Sequence, residues 1–286
     1  MTEDQKELLE SEAHPLDEFL REGRIPHIFC PGCSLGSITN VLIEAINESG
    51  IDPKKVAVVS GIGCTGRIAG YLNFDSFHTT HGRSIPFAIG LSVTDPERKV
   101  IVVSGDGDLF AIGGNHFIHA ARRNANITVV CVNNFNYGMT GGQAGPTTYA
   151  GQFQTTAPYG SLEEPFNIPN LAASCGAVYV ARYTALDVRR VKEAFSEAIA
   201  KNGFSFVEVL GSCPTTYGRR NQLAEGKKIL EFFAEKTVLN HDADTRDVRI
   251  DKNSPIIVGK FVDIEDKPTL TDNLLALQRV SQAKKG

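Results

Sequence analysis

Val100-Ile101-Val102-Val103-Ser104-Gly105-Asp106-Gly107-Asp108 is the stretch that decides the fold. Four consecutive apolar, mostly β-branched residues read as a strand buried on both faces, and the glycine-flanked acid reads as a turn at its carboxyl end. A helical pattern from Gly114 to Arg123 follows, then an apolar strand from Ile127 to Val132 that ends in Asn133-Asn134. The alternation continues outward. Upstream, Ile38, Val41, Leu42, Ala45 and Ile46 recur at helical spacing between Ser37 and Asn47, Val56 to Val59 form a strand ending in Ser60-Gly61-Ile62-Gly63-Cys64, and Arg83 to Val93 are helical. Downstream, strands at Val178 to Ala181 and Phe206 to Leu210 flank a helical Leu186 to Asn202. Short apolar strands alternating with helices predict an α/β fold, a parallel sheet covered by helices on both faces. Ligands in such folds gather at the carboxyl ends of strands. Gly63-Cys64, Gly105-Asp106-Gly107, Asn133-Asn134 and Cys213 all follow predicted strand ends.

The 286 residues suffice for one large domain with an appendage, and a 42% hydrophobic content supports a core. A net charge of −4 and the lack of a basic run argue against nucleic acid as a partner. The acidic, polar start has no signal-peptide pattern, and no apolar stretch is long enough to span a bilayer, so no membrane role and a cytoplasmic location are expected. Residues 1–24 read as an arm, 25–225 as the main domain and 226–286 as an extended C-terminal tail. The tail is expected to hold a strand and a short helix and to wrap a partner subunit more than to form a core.

Asp106 suits a magnesium ion that bridges a carboxylate to substrate phosphates. Its flanking glycines let backbone N–H groups approach those phosphates, and Ile112-Gly113-Gly114-Asn115 would open a helix whose N-terminus favours negative charge. Asn134 follows after one helix and one strand, enough chain for a crossover to the neighbouring strand end. Its amide oxygen and a backbone carbonyl near Asn136 can complete the coordination. Asp-Gly also marks hairpins, but here a helix follows, not a second strand.

Six cysteines in such a chain do not suggest a disulfide framework. Cys131 and Cys175 lie in apolar surroundings and read as small hydrophobes. Cys30, Cys33, Cys64 and Cys213 lie beside Gly or Pro in loops. Spacing alone leaves open a cluster with four thiolate ligands, a zinc site or a thioredoxin-like pair. Zinc sites usually show two close pairs, and a redox pair would leave Cys64 and Cys213 without a role.

Gly105-Asp106-Gly107 with a strand ending in Asn133-Asn134 is the thiamine diphosphate signature. Together with Cys30-Pro31-Gly32-Cys33, Ser60-Gly61-Ile62-Gly63-Cys64, His78-Thr79-Thr80-His81-Gly82-Arg83 and Tyr137-Gly138-Met139-Thr140-Gly141-Gly142-Gln143, it resembles the β subunit of 2-oxoacid:ferredoxin oxidoreductases, most of all the 2-oxoglutarate branch. The resemblance runs from about Ile25 to Arg220. It implies the diphosphate-binding half of a thiamine enzyme. Cys30, Cys33, Cys64 and Cys213 would hold a [4Fe–4S] cluster, and Asp106, Asn134 and Asn136 the Mg2+. The cofactor would be lined by Ile62, Gly63, Cys64 and Thr65, by His81, by Gly105, Asp106, Gly107 and Asp108, and by Asn134, Asn136, Gly138 and Met139.

The implied reaction is oxidative decarboxylation of a 2-oxo acid, with electrons passed one at a time through the cluster to ferredoxin and the acyl group taken by coenzyme A. Met139 is a candidate prop for the cofactor, His81 a candidate partner of cofactor or substrate, and Arg67 or Arg83 a candidate carboxylate clamp, with Arg67 preferred for the distal carboxylate of 2-oxoglutarate. Each has an ordinary structural alternative. The chain has room for only one thiamine-type domain, and the resemblance implies that the activating Glu and pyrimidine pocket come from a larger α subunit, in an assembly such as (αβ)2. Competing readings are a pyruvate or branched-chain 2-oxoacid enzyme, a non-oxidative thiamine lyase, and an electron-carrying accessory subunit.

Overall fold

The computed structural model describes residues 14–284, so most of the expected arm, residues 1–13, lies outside the described residues. The first helix, α1 (Leu35–Glu48), buries Ile38, Val41, Leu42, Ala45 and Ile46, the residues whose spacing predicted it. Then come β1 (Val56–Ser60), β2 (Asp75–His78), α2 (Ser84–Thr94), β3 (Lys99–Gly105), α3 (Gly114–Arg122) and β4 (Ile127–Asn133). After a long loop follow α4 (Ile168–Ser174), β5 (Tyr179–Thr184), α5 (Val188–Ala200) and β6 (Phe204–Leu210). The tail adds α6 (Gly226–Lys236), β7 (Thr237–Leu239), β8 (Ile256–Asp263) and α7 (Leu270–Ala283). Among the described residues no helix is long and apolar enough to cross a membrane.

The strands form one sheet in the order β2-β1-β3-β4-β6-β5-β8-β7, parallel throughout except where β8 runs antiparallel to β5. Alternating side chains feed two cores. Ile101 and Val103 of β3 join the core that includes α1 and α5, while Val100 and Val102 join the one that includes α2, α3 and α4. This is why β3 is apolar at consecutive positions from Val100 to Val103 instead of at every second one. The direction in which successive strands are added to the sheet reverses between β1, which continues to β2 on one side, and β3, which continues to β4 on the other. The crevice at such a switch point is where ligands bind in open α/β sheets. The carboxyl ends of β1, β3, β4 and β6 are therefore consecutive along one rim.

The tail differs from expectation. Residues 256–263 enter the main sheet as β8, and Val248, Ile250, Ile256, Val258 and Phe261 are buried. The tail thus completes the core instead of only lying over it. Its attachment is polar as well as apolar. Arg182 on β5, 1% exposed, donates through Nε to Glu208 on β6 at 2.7 Å and through Nη1 to the carbonyl of Val248 at 2.6 Å. The other Glu208 oxygen accepts from Asn133 Nδ2 at 2.8 Å. One buried ion pair therefore ties the tail to the end of β4. Removing one partner strands the other charge in the interior, so Glu208→Ala is expected to lose about 3–5 kcal/mol of stability. A urea titration monitored by circular dichroism reads this directly, and a loss below 1 kcal/mol would show that water reaches Arg182.

Candidate active site

The centre of the rim is Asp108, at the start of a wide π-type turn (Asp108–Ile112) that links β3 to α3. Its side chain is buried, and its two oxygens take four protein donors. Oδ1 accepts from the backbone N–H of Ile62 at 3.1 Å and of Gly82 at 2.7 Å, and pairs with His81 Nδ1 at 2.5 Å. Oδ2 accepts from Ser104 Oγ at 2.8 Å. One carboxylate thus fastens the loop after β1 and the loop before α2 to the end of β3. Gly61 is required for this closeness: a Cβ there would lie 1.8 Å from Asp108 Oδ2. His81, held by Nδ1, has no protein partner at Nε2 among the described residues.

Two residues earlier, Asp106 is also buried. Its Oδ2 accepts from Thr147 Oγ1 at 2.5 Å, and its Oδ1 from the Asn134 N–H at 3.4 Å. Burial pushes this carboxyl up to about 6, partly opposed by the Thr147 bond. A divalent cation beside it would reverse that tendency. Opposite stands the turn after β4, where Phe135 adopts φ +62°, a left-handed conformation that costs about 1–2 kcal/mol for an L-residue. The conformation is held by hydrogen bonds from Phe135 N–H to Asn133 Oδ1 and from Thr148 Oγ1 and Gln154 Nε2 to the Phe135 carbonyl.

The consequence is a convergence of oxygens. The Asn134 amide oxygen lies 3.2 Å from Asp106 Oδ1 and 2.7 Å from the Asn136 carbonyl oxygen. Turning the amide would make these contacts N–H···O bonds. As placed, three oxygens with no proton between them face one another, which is the donor set a hard cation satisfies.

Ile62, Gly63, Cys64, Thr65, His81, Asp106, Asn134 and Met139 are among the residues lining a cleft of about 90 Å3 over this centre. Gly107 lies against the Tyr137 ring, whose nearest carbon would be 2.3 Å from a Cβ on Gly107. A second cavity of about 210 Å3 adjoins it, lined by Cys30, Cys33, Cys64 and Cys213 and sharing Cys64, Asn134, Gly138 and Met139 with the first. All six cysteines are free thiols. Burial raises Cys33 to about 12 and Cys64 to about 11, the opposite of an activated redox thiol. Among the described residues no three His, Cys, Asp or Glu side chains approach the spacing of a single-ion site. Four thiols spread around a common cavity therefore suit a multi-atom cluster better than one zinc ion.

Residues 61–209 match the family described as "Thiamine pyrophosphate enzyme, C-terminal TPP binding domain". The chain is 47% identical over 262 residues to "2-oxoglutarate synthase subunit KorB" of Methanocaldococcus jannaschii, covering 91% of this chain and 96% of that protein. To "2-oxoacid:ferredoxin oxidoreductase subunit beta" of Saccharolobus solfataricus it is 43% identical over 189 residues, 65% of this chain and 62% of the other. A solved structure described as 2-oxoglutarate:ferredoxin oxidoreductase from Magnetococcus marinus, with 2-oxoglutarate, coenzyme A and succinyl-CoA bound, superposes with a TM-score of 0.84 at 32% identity, covering 94% and 92% of the two chains. The chain belongs to the β subunits of the 2-oxoacid:ferredoxin oxidoreductases.

In this β subunit the residues singled out from the sequence separate into three groups. The four loop cysteines come together around one cavity, and the residues expected around the cofactor, Ile62 to Thr65, His81, Gly105 to Asp108, Asn134, Asn136, Gly138 and Met139, line the adjoining cleft. Asp108 sits there with its carboxylate already engaged by the protein, so it acts as a strut for His81, Gly82 and Ile62. Arg67 and Arg83 are exposed, and neither contributes to the wall of either cavity. Tyr137, Thr140 and Thr147 were not anticipated. Thr147 carries no local signal, because its contact with Asp106 spans 41 positions.

Gly61→Ala is expected to leave the helical content intact while weakening thiamine diphosphate binding by tenfold or more, because Asp108 must move to admit the methyl group. Isothermal titration of the protein purified with its partner subunit measures this. Unchanged affinity would show that the loop after β1 is held independently of Asp108.

Proposed function

We infer that the chain is the β subunit of a 2-oxoglutarate:ferredoxin oxidoreductase (2-oxoglutarate synthase). With its α subunit it converts 2-oxoglutarate and coenzyme A to succinyl-CoA and CO2 and passes two electrons through a [4Fe–4S] cluster to ferredoxin, a reaction chemically open in reverse. The observation that carries this reading is the shared wall. The oxygen-lined cleft and the four-cysteine cavity meet at Cys64, Asn134, Gly138 and Met139. A cofactor in one lies against a centre in the other, as transfer of single electrons requires.

Asp106, Asn134 and the Asn136 carbonyl would hold Mg2+ on the diphosphate. Cys30, Cys33, Cys64 and Cys213 would hold the cluster, the usual four-thiolate shell. When bound, thiamine diphosphate supplies the nucleophilic carbon that attacks the keto carbon and takes the electron pair released with CO2. The protein's part is positional. Asp108 fixes His81 with Nε2 free for the substrate's keto oxygen, the backbone around Gly107, which lines the cleft, would offer N–H groups to the diphosphate, and Met139, 47% exposed, stands as an apolar prop between the two cavities. Arg67 lies one turn beyond Cys64 and is the candidate for the distal carboxylate of the substrate. The α subunit supplies the activating Glu and the pyrimidine pocket in an (αβ)2 assembly.

Anaerobic co-purification with the partner subunit tests the reading. About four irons per chain, bound thiamine and 2-oxoglutarate-dependent reduction of ferredoxin or viologen are expected. Activity with pyruvate alone would transfer the assignment to another 2-oxoacid; zinc without thiamine would overturn it. Asp106→Ala is expected to reduce Mg2+-dependent cofactor affinity by 100-fold or more while the iron content stays unchanged, since the two sites use different donors. Arg67→Met should raise the KM for 2-oxoglutarate about tenfold and leave that for pyruvate unaltered. An equal effect on both would remove Arg67 from substrate selection.

A further inference from the structure

Thr216, in the turn that follows Cys213, has no role in the chemistry described above, yet it lines the four-cysteine cavity, and its hydroxyl lies between Cys213 there and Asn136 of the adjoining cleft. Its Oγ1 is 3.0 Å from Cys213 Sγ and 3.4 Å from Asn136 Oδ1, and Asn136 Oδ1 is 4.0 Å from the same sulfur. The hydroxyl is closely packed. A Cβ on Gly142 would lie 2.9 Å from Thr216 Cβ, and one on Gly138 would lie 3.5 Å from Cys213 Sγ and 3.7 Å from Thr216 Oγ1. Gly142 thus lets the chain close on Thr216, whereas a Cβ on Gly138 would make only ordinary contacts with the pair. Behind it, Asn136 Nδ2 is buried and has no hydrogen-bond partner.

With Cys213 as a thiol, either atom of the Cys213–Thr216 pair can donate. A thiolate bound to iron carries no proton, so the direction is then fixed and the Thr216 hydroxyl donates to the sulfur. Asn136 Oδ1 is thereby left facing a hydroxyl that points away from it. Turning the amide would bring Nδ2 to that place, where it could donate to Thr216 Oγ1, giving a chain of donors that ends on the sulfur. Hydrogen bonds to cluster sulfurs stabilise the more negative, reduced state and so raise the reduction potential.

We propose that Thr216, backed by Asn136, is a positioning and tuning residue that sets the potential of the electron-accepting cluster through a hydrogen bond to Cys213 Sγ. The proposal rests on the reading of the four cysteines as cluster ligands. Asn136 also offers its carbonyl to the candidate magnesium site, so the residue that backs Thr216 touches both centres.

The test is a redox titration followed by electron paramagnetic resonance, on the complex with its partner subunit, for the wild type, Thr216→Val and Thr216→Ser. Valine keeps the shape and removes the donor, and serine keeps the donor. Thr216→Val is expected to disfavour one-electron reduction about tenfold, a shift of about 59 mV to more negative potential, with Thr216→Ser close to wild type. Iron and sulfide are assayed on every sample. A full cluster with an unchanged potential in Thr216→Val overturns the proposal, as does an equal shift in both variants, which would point to packing. Wild-type protein without iron overturns the cluster reading itself. If only Thr216→Val fails to load, electron–nuclear double resonance of the wild-type reduced cluster decides, with an exchangeable proton coupled through Cys213 and lost in D2O expected, and its absence fatal.

Discussion

A single buried carboxylate organises the rim of the sheet. Leaving Asp108 buried without partners would cost several kcal/mol, so the fold is committed to bringing it donors. It finds them in the backbone of two loops distant in sequence, in His81 and in Ser104 of its own strand. Because those donors belong to segments after β1, before α2 and at the end of β3, satisfying the carboxylate brings the segments to one place. The absence of a Cβ at Gly61 is the steric condition for this arrangement. Wide turns of the type that presents Asp108 are frequent at functional sites, where a regular helix would point the side chain elsewhere.

The second constraint is the strained turn at Phe135. Asn133 and Glu208 form a buried relay that joins this turn to the β5–β6 ion pair and, through Arg182, to Val248 in the tail. The oxygens of Asn134 and Asn136 point toward Asp106 because Phe135 is held left-handed, and that conformation is maintained from the interior. The tail thus supports the candidate metal site through this buried relay, with none of its described residues in the lining of the cleft.

The two cavities share a wall, and their openings are exposed on this chain alone. Met139 and Ile62 project into solvent at the cleft. A carbon-centred reaction that releases electrons singly needs water excluded and a short path outward. On the proposed reading, the shared wall would supply that path. On the same reading, exclusion of water would fall to the partner subunit that the β-subunit family implies.

Much of this was legible in the sequence. Four apolar residues in a row at β1, β3 and β4 identify strands covered on both sides, and glycine, acid and amide residues at their ends mark the rim as the candidate site for phosphate and metal. The four loop cysteines separate from Cys131 by local composition alone, because only Cys131 lies inside a strand. What the sequence could not show depends on contacts between distant residues. β2 is an edge strand with mostly exposed side chains, so it has no apolar pattern to read. β8 enters the sheet beside β5 because its apolar residues fill both cores, a choice made by packing and not by local propensity. Thr147 reaches Asp106 across 41 positions, and Asp108 becomes a strut for the rim only because folding brings four donors to it. Residue type and local periodicity determined which groups this protein has for chemistry. The hydrogen-bond demands of buried polar groups, met only in the folded chain, decided which of those groups remain free to use.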